Sequence, residues 1–186
     1  MTQIMTTEDI MDILHDMEKR SQHDGTRLSQ QSTQRGSWSA ISFKLADRTY
    51  LIPLDEVKEI FPPPPQITPV PCSEGWLLGA ANIHGEILPL FDLGFFLLQQ
   101  TTPLIHSNRI VVIDHHDYYF GILVGQTSGL KHFKTPPTPA THLDDDNVAI
   151  ANYLTGQVSQ QEVTWQVFSP HQLLNDSRFI NTANND

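Results

Sequence analysis

The apolar positions change period along the chain, and each change marks a new element. Between residues 6 and 20, Ile10, Ile13, Leu14 and Met17 recur at helical spacing behind Thr6 and Thr7. Glu8 and Asp9 stand where the helix dipole favours negative charge. A short amphipathic helix is expected there, able to pack on the rest of the chain or on a partner. From Ser21 to Gly36 apolar residues almost vanish. The burial on offer cannot offset the entropy of ordering, so a mobile linker is expected.

From Trp38 the period becomes two. Ile41, Phe43 and Leu45 alternate with Ser42 and Lys44, as in a half-buried strand. A turn at Asp47-Arg48 leads to extended segments Tyr50–Pro53 and Val57–Phe61, and Pro62–Pro65 then stops any helix or central strand and makes a stiff loop. Leu77–Ile83 and Glu86–Leu90 flank His84-Gly85, a spacing that predicts a tight hairpin with Gly85 at positive φ. A helical turn at Leu93–Leu98 and strands at Ile110–Ile113, Tyr119–Val124 and Thr127–Lys131 follow, with turns at Asp117 and Gly125. Residues 135–147 read as a loop. The last apolar segments are Val148–Val158 and Val163–Phe168, and Ser169-Pro170 is placed to start a helix through Leu174 with Ser169 as its N-cap. Asp176–Asp186 reads as a frayed tail. Many short strands with closely spaced turns predict a barrel or sandwich rather than a parallel α/β sheet, and no internal repeat is visible.

Composition narrows the function classes. The formal charge of -10, with only 11 Lys plus Arg, offers little to neutralise phosphates and argues against nucleic acid or anionic lipid as ligand. A single cysteine, Cys72, precludes an intramolecular disulfide. The apolar stretch Leu88–Leu98 contains Asp92 and is shorter than the roughly 20 residues that a membrane-crossing helix needs. With no secretory h-region in residues 1–20, a cytoplasmic protein with a protein partner is expected.

The most specific motif is Gly79-Ala80-Ala81-Asn82-Ile83-His84-Gly85-Glu86-Ile87-Leu88-Pro89-Leu90-Phe91-Asp92-Leu93. It resembles the CheW family of chemosensory coupling proteins, with its glycine, asparagine, Arg-Gly hairpin and Pro-x-x-Asp-Leu strand end. Ile41–Leu45, Tyr50–Pro53, Val57-Lys58-Glu59-Ile60, Pro69-Val70-Pro71, Gly121–Val124 and Tyr153–Gly156 continue the likeness in family order over residues 38–175. Trp38-Ser39, Gln166–His171 and the polar N-terminal extension extend it to the branch that serves type IV pili and twitching motility.

The resemblance implies a mainly β fold of two small five-stranded SH3-like barrels on a shared core, with a few short helices. Residues 1–36 are then an extension, 37–175 the CheW-like domain and 176–186 a tail. It further implies a non-enzymatic adaptor, without cofactor or membrane insertion, that couples the regulatory domain of a CheA-type histidine kinase to the cytoplasmic tip of a methyl-accepting chemoreceptor in membrane-associated arrays. The receptor's helical hairpin would dock between the barrels. Carried over by motif, the partner-binding residues are Val57, Glu59, Ile60, Gly79, Asn82, His84 and Gly85, with Glu59 facing a receptor Arg or Lys. The chain departs from the family at His84, where Arg is usual, and at Gly125, where Asp is usual. Histidine lacks arginine's permanent planar charge.

Plainer readings stand beside these. A tight hairpin in which Asn82 bonds backbone accounts for Gly79, Asn82 and Gly85 without any partner. Alternation along a strand puts one of Val57 and Ile60 inside and the other outside. Trp165 and Phe168 suit burial, Trp38 suits the cover of an open barrel end, and Phe61 with its prolines suits either loop stiffening or recognition by an aromatic groove. His115-His116-Asp117 and Asp144–Asp146 suggest a second function, a small metal-dependent β-barrel enzyme. Adjacent strand residues point to opposite faces, however, and no HxxxH or CxxC spacing is present. A nucleic-acid module would need a basic stripe that the composition lacks.

Overall fold

A computed structural model describes residues 37–183, apart from Cys72, Asp117 and residues 140–147. The helix expected within 6–20, the linker 21–36 and Asp144–Asp146 lie outside the described residues. The described residues form ten strands: β1 Trp38–Leu45, β2 Arg48–Pro53, β3 Glu59–Phe61, β4 Leu77–Ile83, β5 Glu86–Asp92, β6 Arg109–His115, β7 Tyr118–Val124, β8 Thr127–Phe133, β9 Leu154–Gln160 and β10 Val163–Phe168. The helices are α1 Leu93–Leu98, α2 Val148–Ala151 and α3 Ser177–Ala183, with 3-10 turns at Leu54–Glu56 and Pro170–Asn175. None of the described helices is long and apolar enough to cross a membrane.

The strands form two five-stranded sheets, ordered β8-β1-β2-β10-β9 and β3-β6-β7-β5-β4. Each contains two antiparallel hairpins joined by one parallel pair, β2 with β10 in the first and β7 with β5 in the second. In each, the segment after one outermost strand reaches across to the other edge, through the bridges Thr138↔Gln157 and Thr68↔Ala80. The sheets therefore curl into open barrels of identical topology, a repeat invisible in the sequence. One reason is the order of the chain: β1 and β2 begin the first barrel, β3 to β7 make the whole second one, and β8 to β10 return to complete the first.

Neighbouring apolar residues divide between two environments. In β6, Ile110 and Val112 point into the second barrel, while Val111 and Ile113 join the core shared by both sheets. In β2, Leu51 faces the first barrel's interior, and Tyr50 and Ile52 face the shared core. A strand buried on both faces reads as a continuous apolar run, which is why Ile110–Ile113 shows no alternation. Trp38 and Trp165 pack on Phe133 at ring distances of 5.3 and 5.7 Å and cover the apolar cluster of the first barrel. Phe168 is fully buried.

The apolar segment Val148–Val158 divides into the single turn of α2 and strand β9. Two expectations are corrected. Ser169 precedes a 3-10 helix but does not cap it; its hydroxyl donates instead to Glu56 Oε2 at 2.6 Å. Where a frayed tail was expected from Asp176, Ser177–Ala183 is helical, with Phe179 1% exposed and 4.5 Å from the Phe91 ring. One phenylalanine in a short polar segment carries little periodic signal, yet its ring closes the shared core. Asp92, at the equivalent place in the second barrel, does cap its helix: its carboxylate accepts from Phe95 N–H at 3.1 Å and Thr102 N–H at 2.7 Å.

Candidate functional site

The β4–β5 hairpin is built by backbone demands that the sequence meets. His84 and Gly85 both take positive φ, 53° and 90°, the conformation of a two-residue type I′ connection. Asn82 Oδ1 accepts from Gly85 N–H at 3.0 Å and locks the turn, as the plainer reading of Asn82 and Gly85 required. Gly79 has a different task. It is buried, lies at a register shift in β4 with φ 132°, and a Cβ there would stand 2.2 Å from the Thr68 carbonyl oxygen. Its missing side chain lets the segment after β3 close on β4.

Curling of the second sheet brings its two edges together at this hairpin. His84 Nε2 lies 3.3 Å from Glu59 Oε1 at the start of β3, and both side chains are well exposed. Beside them Lys58 Nζ donates to Asp114 Oδ2 at 2.6 Å and lies 4.7 Å over the Tyr119 ring. The Asp114 hydrogen bond holds the Lys58 ammonium above its usual range, and partial burial, followed by nearby Glu86, raises the Tyr119 phenol. With Lys58 engaged by Asp114, Glu59 and Glu86 leave this face acidic. Ile87, opposite Asn82 across the hairpin, is 67% exposed and supplies an apolar knob in that acidic frame.

Glu59, Asn82, His84 and Gly85 thus form one exposed cluster. Val57 and Ile60 do not divide into one inside and one outside: both are half-buried and pack against the shared core. The alternation fails because Val57 ends the 3-10 turn and a bend at Lys58 intervenes before β3 begins at Glu59. Both residues lie at the margin of the core between the barrels. Three members of this face were missed. Lys58 and Asp114 are 56 residues apart, a separation no local motif spans. Ile87 was legible in part, since strand alternation makes one of Ile87 and Leu88 face outward.

Elsewhere, Pro63, Pro64 and Pro65 line an open depression of about 430 Å³ with Ile67, Leu104, Ile105 and His106. Gly125 lies where the chain crosses from the second sheet to the first; its N–H donates to the Lys44 carbonyl at 2.9 Å, and a Cβ there would meet that oxygen at 2.7 Å. The close approach leaves little room for a side chain at this crossing. Among the described residues no three His, Cys, Asp or Glu side chains converge as metal ligands.

Comparison with known proteins agrees with this geometry. The CheW-like domain matches residues 39–178. Protein PilI of Pseudomonas aeruginosa is 32% identical over 171 residues, covering 92% of this chain and 94% of the relative. Chemotaxis protein CheW of Helicobacter pylori is 27% identical over 127 residues, covering 67% and 74% of the two chains. The crystal structure of the scaffolding protein TtCheW from Thermoanaerobacter tengcongensis superposes with a TM-score of 0.58 at 17% identity, covering 70% of this chain and 88% of that one, a likeness of fold.

Proposed function

Since the chain belongs to the CheW-like domain family, we propose that it is a non-enzymatic cytoplasmic adaptor that couples a methyl-accepting chemoreceptor to a CheA-type histidine kinase in membrane-associated arrays. The likeness to PilI over nearly its whole length supports a role in type IV pilus and twitching-motility control. The observation that carries the reading is the match of a CheW-like domain to residues 39–178, and the exposed Glu59 and His84 cluster supports a contact surface on it. Val57 and Ile60 offer apolar anchors at the margin of the shared core for a receptor helix, and the Glu59, Asn82, His84, Gly85 and Ile87 face offers a charged rim with one apolar knob. Gly79 serves this face from below, by shaping β4.

The test is a calorimetric titration of the purified full chain against the kinase regulatory domain and a soluble receptor-tip fragment, with Glu59→Lys and Ile87→Asp beside the parent. Binding of both partners, weakened at least tenfold by either substitution, about 1.4 kcal/mol, with an unchanged circular dichroism spectrum, is the expected result. Parent-like affinity in both variants places the interface elsewhere, and absence of binding to both partners refutes the adaptor reading.

A further inference from the structure

Three imidazoles outside the proposed interface are stacked where the two sheets meet. His115 ends β6 of the second sheet, His116 follows it in the β6–β7 turn at φ 56°, and His171 belongs to the 3-10 segment after β10 of the first sheet. The His115 and His171 rings are 3.8 Å apart and tilted by 32°; those of His115 and His116 are 4.1 Å apart at 37°. His115 and His171 are half-buried. Glu56, on the 3-10 turn after β2, places Oε2 at 3.5 Å from His171 Nδ1 while accepting from the Ser169 hydroxyl.

We propose that this stack is a proton-sensitive latch between the sheets: uncharged rings hold the Pro170–Asn175 segment against the end of β6, and acidification separates them. The charge balance is short by design of the neighbourhood. Among the described residues, Glu56 is the carboxylate that faces the cluster; Asp55 beside it is exposed, Asp114 is engaged by Lys58, and Tyr118, across the strand pair from His115, packs on the shared core. Asp117 lies outside the described residues. One proton in the stack is therefore compensated by Glu56, and a second meets a like charge at ring-contact distance, where repulsion is strong in a partly desolvated setting.

Partial burial first, and the neighbouring His171 and His116 next, hold His115 below the ordinary imidazole range. The sign follows. A histidine depressed in the closed form takes its proton more readily in the open form, so the latch is fully closed above the unperturbed value of 6.5 and loosens as pH falls below it.

The test is hydrogen exchange, corrected for intrinsic rates, at the Gln172 and Asp176 amides, which donate to the Ser169 carbonyl just before the latch segment and to the Leu173 carbonyl within it. It is run on the full chain from about pH 7.5 to about pH 5.5, the interval imidazole crosses. The parent should lose protection several-fold on acidification. His115→Phe keeps a ring in the stack and removes the charge of its central member, so it should abolish that acid-dependent loss, whereas His171→Phe, which leaves His115 partly buried against His116, should reduce it. Protection that stays constant in the parent, or falls as far in His115→Phe as in the parent, overturns the proposal.

Discussion

At the scale of single residues, the glycines of the core motif separate by physical role. Gly79 combines φ 132° with a carbonyl oxygen 2.2 Å from where a Cβ would lie, whereas Gly85, at φ 90°, has open space around it. Gly79→Ala should cost about 2–6 kcal/mol, from backbone strain of about 1–3 and overpacking of about 1–3 kcal/mol. Gly85→Ala should cost only about 1–2 kcal/mol, the left-handed penalty alone. Urea midpoints of the two variants test the ranking, and equal losses would mean that the approach of Thr68 to Gly79 adds nothing to its positive φ.

The Tyr153, Asp176 and Arg178 cluster gives a second residue-scale expectation. The Tyr153 hydroxyl donates to Asp176 Oδ2 at 2.5 Å and Arg178 Nη2 donates to the same oxygen at 2.7 Å. The Arg178 hydrogen bond leads in holding the Asp176 carboxyl at about 2, against an ordinary 3.8. A depressed carboxylate contributes stability that is complete above its unfolded value and lost as pH falls through the folded one. The parent should lose about 1–2 kcal/mol between pH 3.8 and about 2 beyond what Asp176→Asn loses, the range allowing for screening at the exposed guanidinium. Denaturant titrations across that interval provide the measurement.

At the scale of elements, α3 is the piece whose importance its length conceals. Its Phe179 ring lies within 5.5 Å of the Phe91, Phe96 and Phe120 rings. Phe179→Ala should cost about 3–5 kcal/mol, as for other fully buried aromatic truncations. Loss of less than 1 kcal/mol in thermal or chemical unfolding would mean that the helix is an appendage. The hairpin β4–β5 is the contrasting case, since its turn chemistry is local: Asn82, His84 and Gly85 announce the connection from sequence, and the structure adds only which edge the hairpin faces.

At the scale of the molecule, the barrels cannot be independent folding units. The chain leaves the first after β2 and returns at β8, and the largest apolar cluster draws Phe43, Tyr50 and Phe168 from the first and Phe91, Val111 and Phe120 from the second. Unfolding should be a single cooperative transition. Trp38 and Trp165 report on the first barrel and Trp76 on the second, packed against Phe96 at 5.4 Å. Fluorescence of single-tryptophan variants should therefore give coincident urea midpoints, and separated midpoints would refute the shared-core account.

The sequence by itself determined the strands, the hairpin and the family, because period-two patterning, turn residues with special φ and an ordered motif are local quantities. It also placed Glu59 and His84 among the candidates, though not against each other. Tertiary structure alone decided that the two sheets repeat one topology, that Val57 and Ile60 share one core, that Ser169 bonds Glu56 rather than its own helix, and that three histidines from two sheets stack. Each of those rests on a contact between segments far apart along the chain, and pairing at long range is fixed by the packing of the whole core rather than by any window of residues.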